Sequence, residues 1–207
     1  MNYAELHCLS DFSFQRGATS ASRLFERAKR VGYSTLAITD ECTMAGIVRA
    51  QEASKKHGVP LIVGNELNLE CGTKLMVLVE SKAGYTRLCE LITHGRRVSE
   101  KGTYRLTRAD VADGLPGCLV LWVSGKGAAA GDAHWMHHTF GDRAWLPVEL
   151  HRQGDDDQRL NELTSLAHAG GLPMVATGGV HMDIRIHKQH QLSTKGLRHG
   201  SPIFPSA

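Results

Sequence analysis

Short apolar runs alternate with amphipathic stretches along most of this chain. The runs at 36–39, 60–63, 75–79, 118–123, 146–150 and 174–177 are nearly continuous in apolar character. Such runs predict strands covered on both faces, and hence a parallel sheet. Between them lie helical patterns. Ser20 stands at an N-cap position, and Leu24, Ala28 and Val31 then recur on one face. A second helix is predicted over 44–57, with Gly58 where a C-terminal glycine belongs. Two more are predicted over 87–97 and 156–169, the last followed by Gly170, Gly171 and Pro173. Repeated strand-helix alternation predicts an α/β fold, either a barrel or an open doubly wound sheet. The stretch 124–142 reads as a loop and a short helix, and 200–207 as a flexible C-terminal tail. No internal repeat interrupts the pattern.

Composition narrows the setting. A chain of 207 residues suits one sizeable domain. A formal charge of +3 permits a nucleic-acid partner without implying one. Cys8, Cys42, Cys71, Cys89 and Cys118 are scattered, with no close pair that could close a zinc ribbon. Their odd number points to reduced thiols in a cytoplasmic protein. The opening residues lack the basic and apolar segments of a secretory signal, and no apolar run is long enough for a membrane span.

In α/β barrels the working groups sit at the C-terminal ends of strands. His7 ends the first predicted strand, Asp40 and Glu41 end the second, Glu66 follows the third, and His181 follows the last. A mixed set of histidines and carboxylates suits zinc, manganese or iron and could activate a water for phosphoester hydrolysis. Singly, each is better read as a cap or a turn former; together they gain weight if the barrel closes. Other features carry less. Gly125-Lys126-Gly127 lacks Walker A spacing and reads as a loop. Asp155, Asp156 and Asp157 suit a helix start. His134, His137 and His138 read as surface histidines, while Arg96, Arg97, Lys101 and Arg105 form a modest basic segment that suits solvent or nucleic-acid phosphate.

Longer motifs then bear on the family. The opening Tyr3-Ala-Glu-Leu-His7-Cys-Leu9-Ser-Asp-Phe-Ser-Phe-Gln-Arg-Gly-Ala18 resembles the start of a PHP (polymerase and histidinol phosphatase) domain. The likeness is to error-prone DNA polymerases of the bacterial polymerase III α type. It continues through Leu36-Ala-Ile-Thr-Asp40, Met44-Ala-Gly-Ile-Val-Arg-Ala50, Gly84-Tyr-Thr-Arg-Leu-Cys-Glu-Leu-Ile92 and Glu100-Lys-Gly-Thr-Tyr-Arg-Leu-Thr107. It resumes at Leu172-Pro-Met-Val-Ala-Thr177 and Val180-His-Met182.

The resemblance implies a distorted (β/α)7 barrel over 1–199 with up to three metal ions at its mouth. Of the family's ligands, His7, Asp40, Glu66 and His181 remain. Five ligand positions hold Leu9, Glu41, Lys74, Ser124 and Gly179 instead. Leu9 and Gly179 offer no donor, and Lys74 places a cation where a divalent ion would sit, where it can pair with Glu66 or Asp40. The expectation is one zinc or manganese ion held weakly, or none, and no phosphoesterase activity.

What the resemblance implies for function is a scaffold module of a nucleotidyltransferase that performs translesion synthesis in DNA repair. Its partners would be the polymerase core of the parent protein or translesion accessory proteins, and it would meet DNA through that parent. The polymerase palm is absent from these residues. Two alternatives stay open: a freestanding metal-dependent PHP phosphoesterase or nuclease, and a pure docking module marked by an exposed apolar patch.

Overall fold

The computed structural model describes residues 3–125, 127–150 and 154–181. The tail 200–207, the domain boundary before it and Lys126 lie outside the described residues. Among the described residues, seven strands are hydrogen-bonded in sequence order, β1 to β7. The described residues form two compact units, one of residues 3–63 together with 179–181, the other within Gly64–Gly178.

The first unit holds β1 (Ala4–Glu5), α1 (Ala21–Val31), β2 (Thr35–Ile38), α2 (Ile47–His57) and the start of β3 (Leu61–Asn68). These strands pair in parallel, with Leu36, Ala37 and Ile38 opposite Leu61, Ile62 and Val63. α1 begins after Ser20, which holds an extended conformation. Ala21, Leu24, Phe25 and Ala28 recur at helical spacing and are buried. They pack with Leu36 and Ile38 of β2 and Ala50 and Ala53 of α2 in one core. Complete burial of a ring such as Phe25 contributes roughly 1.5–3 kcal/mol relative to exposure. Gly32 closes α1 and Gly58 closes α2, both in the left-handed conformation that costs glycine least. α2 starts at Ile47, three residues later than the sequence pattern suggests.

The second unit carries the rest of β3 with β4 (Lys74–Val79), α3 (Lys82–Arg97), β5 (Cys118–Val123), α4 (Ala130–Phe140), β6 (Ala144–Val148), α5 (Asp156–Gly170) and β7 (Met174–Ala176). Here the expectation of a purely parallel sheet fails. β4 runs antiparallel to both β3 and β5, while β5, β6 and β7 are parallel. Only residues 69–73 separate β3 from β4, far fewer than the ten or more a parallel crossover needs, so a hairpin is the only connection available. The apolar run of β4 still reports its burial correctly, since Leu75, Met76, Val77 and Leu78 are all shielded. What such a run reports is burial on both faces, not strand direction.

α3 begins five residues earlier than the pattern predicts, because Ser81 caps it by accepting a hydrogen bond from the Gly84 amide. A side chain at Gly84 would collide with the Gly117 carbonyl, which fixes how closely this first turn approaches 117. The stretch 124–142 resolves into α4, which buries Ala133, Met136 and Phe140 and exposes His134, His137 and His138. Asp156 and Asp157 occupy the first turn of α5, as their charge favours.

Candidate functional site

The candidate residues of the first unit gather around one short segment, 7–10. Cys8 bridges to Val180 in parallel: the Leu9 amide donates to the Val180 carbonyl at 2.8 Å, and the Val180 amide to the His7 carbonyl at 2.8 Å. This ladder brings two expected ligands together. The rings of His7 and His181 lie edge to face with centroids 6.3 Å apart. On these two segments Leu9 is completely buried and Gly179 adopts a positive φ of 58°.

Asp40 follows β2 by two residues and is 2 % exposed. Its carboxyl is held by serines. Oδ1 accepts from the Ser10 amide at 2.8 Å and from Ser13 Oγ at 2.6 Å, and Oδ2 accepts from Ser10 Oγ at 2.7 Å. Burial raises the pKa of this group, and the serine hydrogen bonds oppose that rise in part. Ser13 Oγ also accepts from the Glu41 amide at 3.1 Å. Glu41, at one of the five positions that the resemblance marks as altered, forms an ion pair with Arg16 at 2.6 Å. Ser10, Ser13 and Arg16 were not among the residues singled out from sequence. Ser10 and Ser13 sit in the opening motif, but nothing local shows that they serve a carboxyl 27 to 30 positions away.

Glu66 belongs to the second unit. It does not follow a strand, as expected, but lies within β3, which runs on to Asn68 because residues 64–68 pair with β4. Glu66 faces Met76 and Asn68 faces Lys74, so Glu66 and Lys74 are diagonal neighbours on one face of the hairpin. Lys74 Nζ stands 3.5 Å from Glu66 Oε1, the glutamate fully buried and the lysine about a third exposed. Asn68 Nδ2 donates to the same oxygen at 3.4 Å.

Ser124, the remaining one of the five positions that the resemblance marks as altered, directly follows β5. Its carbonyl and hydroxyl both accept from Arg159 Nη2 on α5, at 2.5 and 3.0 Å. Arg159 was likewise missed from sequence, since only the packing of α5 brings it there. Among the described residues, no group of three or more His, Cys, Asp or Glu side chains is arranged to hold a metal ion.

Segments 7–10 and 39–41 both lie within the stretch that one class of protein shares. The family model of the PHP domain matches residues 5–125, and the chain belongs to that family. Within it, the relatives are error-prone DNA polymerases, whose N-terminal region the chain matches. It is 53% identical over 201 residues to the error-prone DNA polymerase of Pseudomonas fluorescens, covering 97% of this chain and 19% of that one. It is 52% identical to that of Pseudomonas aeruginosa and 51% identical to that of Xanthomonas axonopodis pv. citri, with the same two coverages. The chain thus spans about one fifth of the length of the curated relatives it matches.

Solved structures show the same fold at low identity. A protein from Bifidobacterium adolescentis described as a metal-dependent phosphoesterase aligns over 88% of each chain, with a TM-score of 0.66 and 16% identity. An amidohydrolase from Chromobacterium violaceum, solved with sulfate and no metal, aligns over 86% of this chain and 87% of its own, with a TM-score of 0.61 and 15% identity. The expected α/β fold of the PHP type is therefore the fold of this chain. Among the described residues no helix is long and apolar enough to cross a membrane.

Proposed function

We propose that this chain serves as the PHP module of an error-prone DNA polymerase that acts in translesion synthesis and repair in the cytoplasm, and that it is a scaffold rather than a hydrolase. The polymerase assignment rests on identity above 50% to such enzymes. The scaffold reading rests on one observation. At altered positions the chain has put protein contacts where the family resemblance places metal ligands: Lys74 beside Glu66, Arg16 beside Glu41, and Arg159 against Ser124.

These contacts do not suit a metal cluster. Both carboxyl oxygens of Asp40 are engaged by serine donors, and Glu66 already has a cation beside it. A fixed ammonium at that point repels a divalent ion and supplies part of the charge the ion would bring. His7 and His181 remain as a pair of imidazoles, which would hold at most one zinc or manganese ion weakly. In this reading the module packs on the polymerase core and reaches DNA through the parent protein.

Metal analysis of the 207-residue chain, purified without chelator, tests the proposal. Fewer than about one ion per chain, with no phosphodiester cleavage in manganese or zinc, is the expected result. Two or more retained ions, together with cleavage abolished by His7→Ala, would replace the scaffold with a metal-dependent phosphoesterase. Template-directed primer extension by this chain alone is not expected, and observing it would overturn the assignment of polymerisation to the rest of the parent.

A further inference from the structure

We propose that the outer face of α1 and α2 binds the phosphate backbone of a nucleic acid directly. α1 exposes Arg23, Arg27, Lys29 and Arg30. α2 exposes Arg49, Lys55 and Lys56. Against these, the same two helices expose only two carboxylates, Glu26 and Glu52. The excess is +3 on α1 and +2 on α2, while the whole chain carries +3. The remaining sequence is therefore net acidic by two charges, and the positive charge is concentrated on two packed helices. Such a local excess, rather than net charge, is the electrostatic footprint of a polyanion site.

Spacing supports a linear partner. Arg23, Arg27 and Arg30 follow one another at four and three residues, so they form a single stripe about 10 Å long at roughly 1.5 Å per residue. Arg49 and Lys56, seven residues apart, make a second stripe of the same length on α2. A single strand with a rise of about 3.4 Å per nucleotide presents roughly three phosphates over that distance. The guanidinium of Arg49 lies over the Phe12 ring, 5.4 Å from its centroid. A cleft of about 330 Å³ beside it is lined by Arg49 and Lys56 but also by Asp11 and Glu52. Its mixed charge disfavours a small anion, so the extended face, not the cleft, is the site.

Alternative polyanions fit less well. Val31 and Val48 are the only large apolar side chains that these helices expose, too few to insert into a bilayer or to form the centre of a protein interface. The proposal goes beyond the scaffold reading and rests on family membership only for the expectation that DNA is nearby.

Fluorescence anisotropy of the 207-residue chain with a labelled single-stranded oligodeoxynucleotide, read between about 50 and 200 mM salt, decides it. The quadruple variant Arg27→Ala, Arg30→Ala, Arg49→Ala, Lys56→Ala should weaken binding at least about tenfold and flatten the salt slope by roughly two to three. A control that removes four exposed cations of the second unit, Lys82, Arg97, Lys101 and Arg105, should leave both within about twofold. Circular dichroism confirms that both variants are folded. Absence of binding by the parent at low salt, equal losses in both variants, or equal affinity for anionic phosphatidylglycerol vesicles would overturn the proposal. None of these outcomes bears on the metal assay, so failure here leaves the scaffold reading standing.

Discussion

Replacing Ser13 by alanine tests whether Asp40 is a structural hub. Ser13 is 3% exposed, and its hydroxyl makes two bonds: it donates to Asp40 Oδ1 at 2.6 Å and accepts from the Glu41 amide at 3.1 Å. Alanine removes both while leaving the Ser10 amide on Oδ1 and the Ser10 hydroxyl on Oδ2. Leaving a buried carboxyl short of a donor costs about 1–3 kcal/mol, and the half-buried Glu41 amide adds about 1 kcal/mol. The expected loss is therefore about 2–4 kcal/mol. For a chain of this size each kcal/mol lowers the melting temperature by roughly 2–4 °C, so Ser13→Ala should melt about 5–15 °C lower. Ser13→Thr, which keeps the hydroxyl, should lose less. Urea unfolding of Ser13→Ala, Asp40→Asn and the double variant completes a cycle, with an expected coupling of about 1 kcal/mol or more. A Ser13→Ala loss under about 0.5 kcal/mol, or additive single losses, would refute the argument.

Two further outcomes follow from ion pairs of the second unit. Lys74→Ala strands the fully buried Glu66 carboxylate; because Lys74 is partly exposed, the loss should be about 1–2 kcal/mol rather than the full cost of breaking a buried pair, and adding Glu66→Gln should recover part of it in urea unfolding. The Arg87 side chain donates to Asp113 at 2.6 Å, and that hydrogen bond holds the Asp113 carboxyl below its ordinary value of 3.8. A lowered folded-state value contributes stability that is present above pH 3.8 and lost below it as pH falls through that lowered value, so the melting temperatures of the unsubstituted chain and Arg87→Ala should converge only below about pH 3.8; a gap that stays constant there would show that the ionised pair contributes nothing.

The sequence was most legible where a single local signal decides the structure. Gly58 ends α2 because its left-handed conformation closes the last turn, and the run 118–123 becomes β5 residue for residue. Legibility fell where packing partners lie far apart in the chain. The direction of β4 depends on loop length rather than on its own residues, and α4 hides its buried positions Ala133, Met136 and Phe140 among histidines and a tryptophan. The family motifs marked His7, Asp40, Glu66 and His181, and Lys74 was expected to pair with Glu66 or Asp40, as it does with Glu66; the serines that engage Asp40 were beyond them. Hydroxyls and cations are common along any chain, and only tertiary structure tells which ones meet a carboxyl.

The cations beside Glu66 and Glu41 then acquire a common physical sense. Burying a carboxylate such as that of Glu66 is costly unless a positive charge or hydrogen bonds compensate it. In a metalloprotein a bound ion can supply that charge, and folding becomes tied to metal supply. Lys74 supplies it from the adjacent strand of the same hairpin, so the compensating charge is fixed by β-sheet register and is present as soon as β3 and β4 pair. Glu41 is compensated by Arg16 from the segment that the Asp40 carboxyl organises through Ser10 and Ser13. Glu66 and Glu41 thus each have a counter-charge within their own unit.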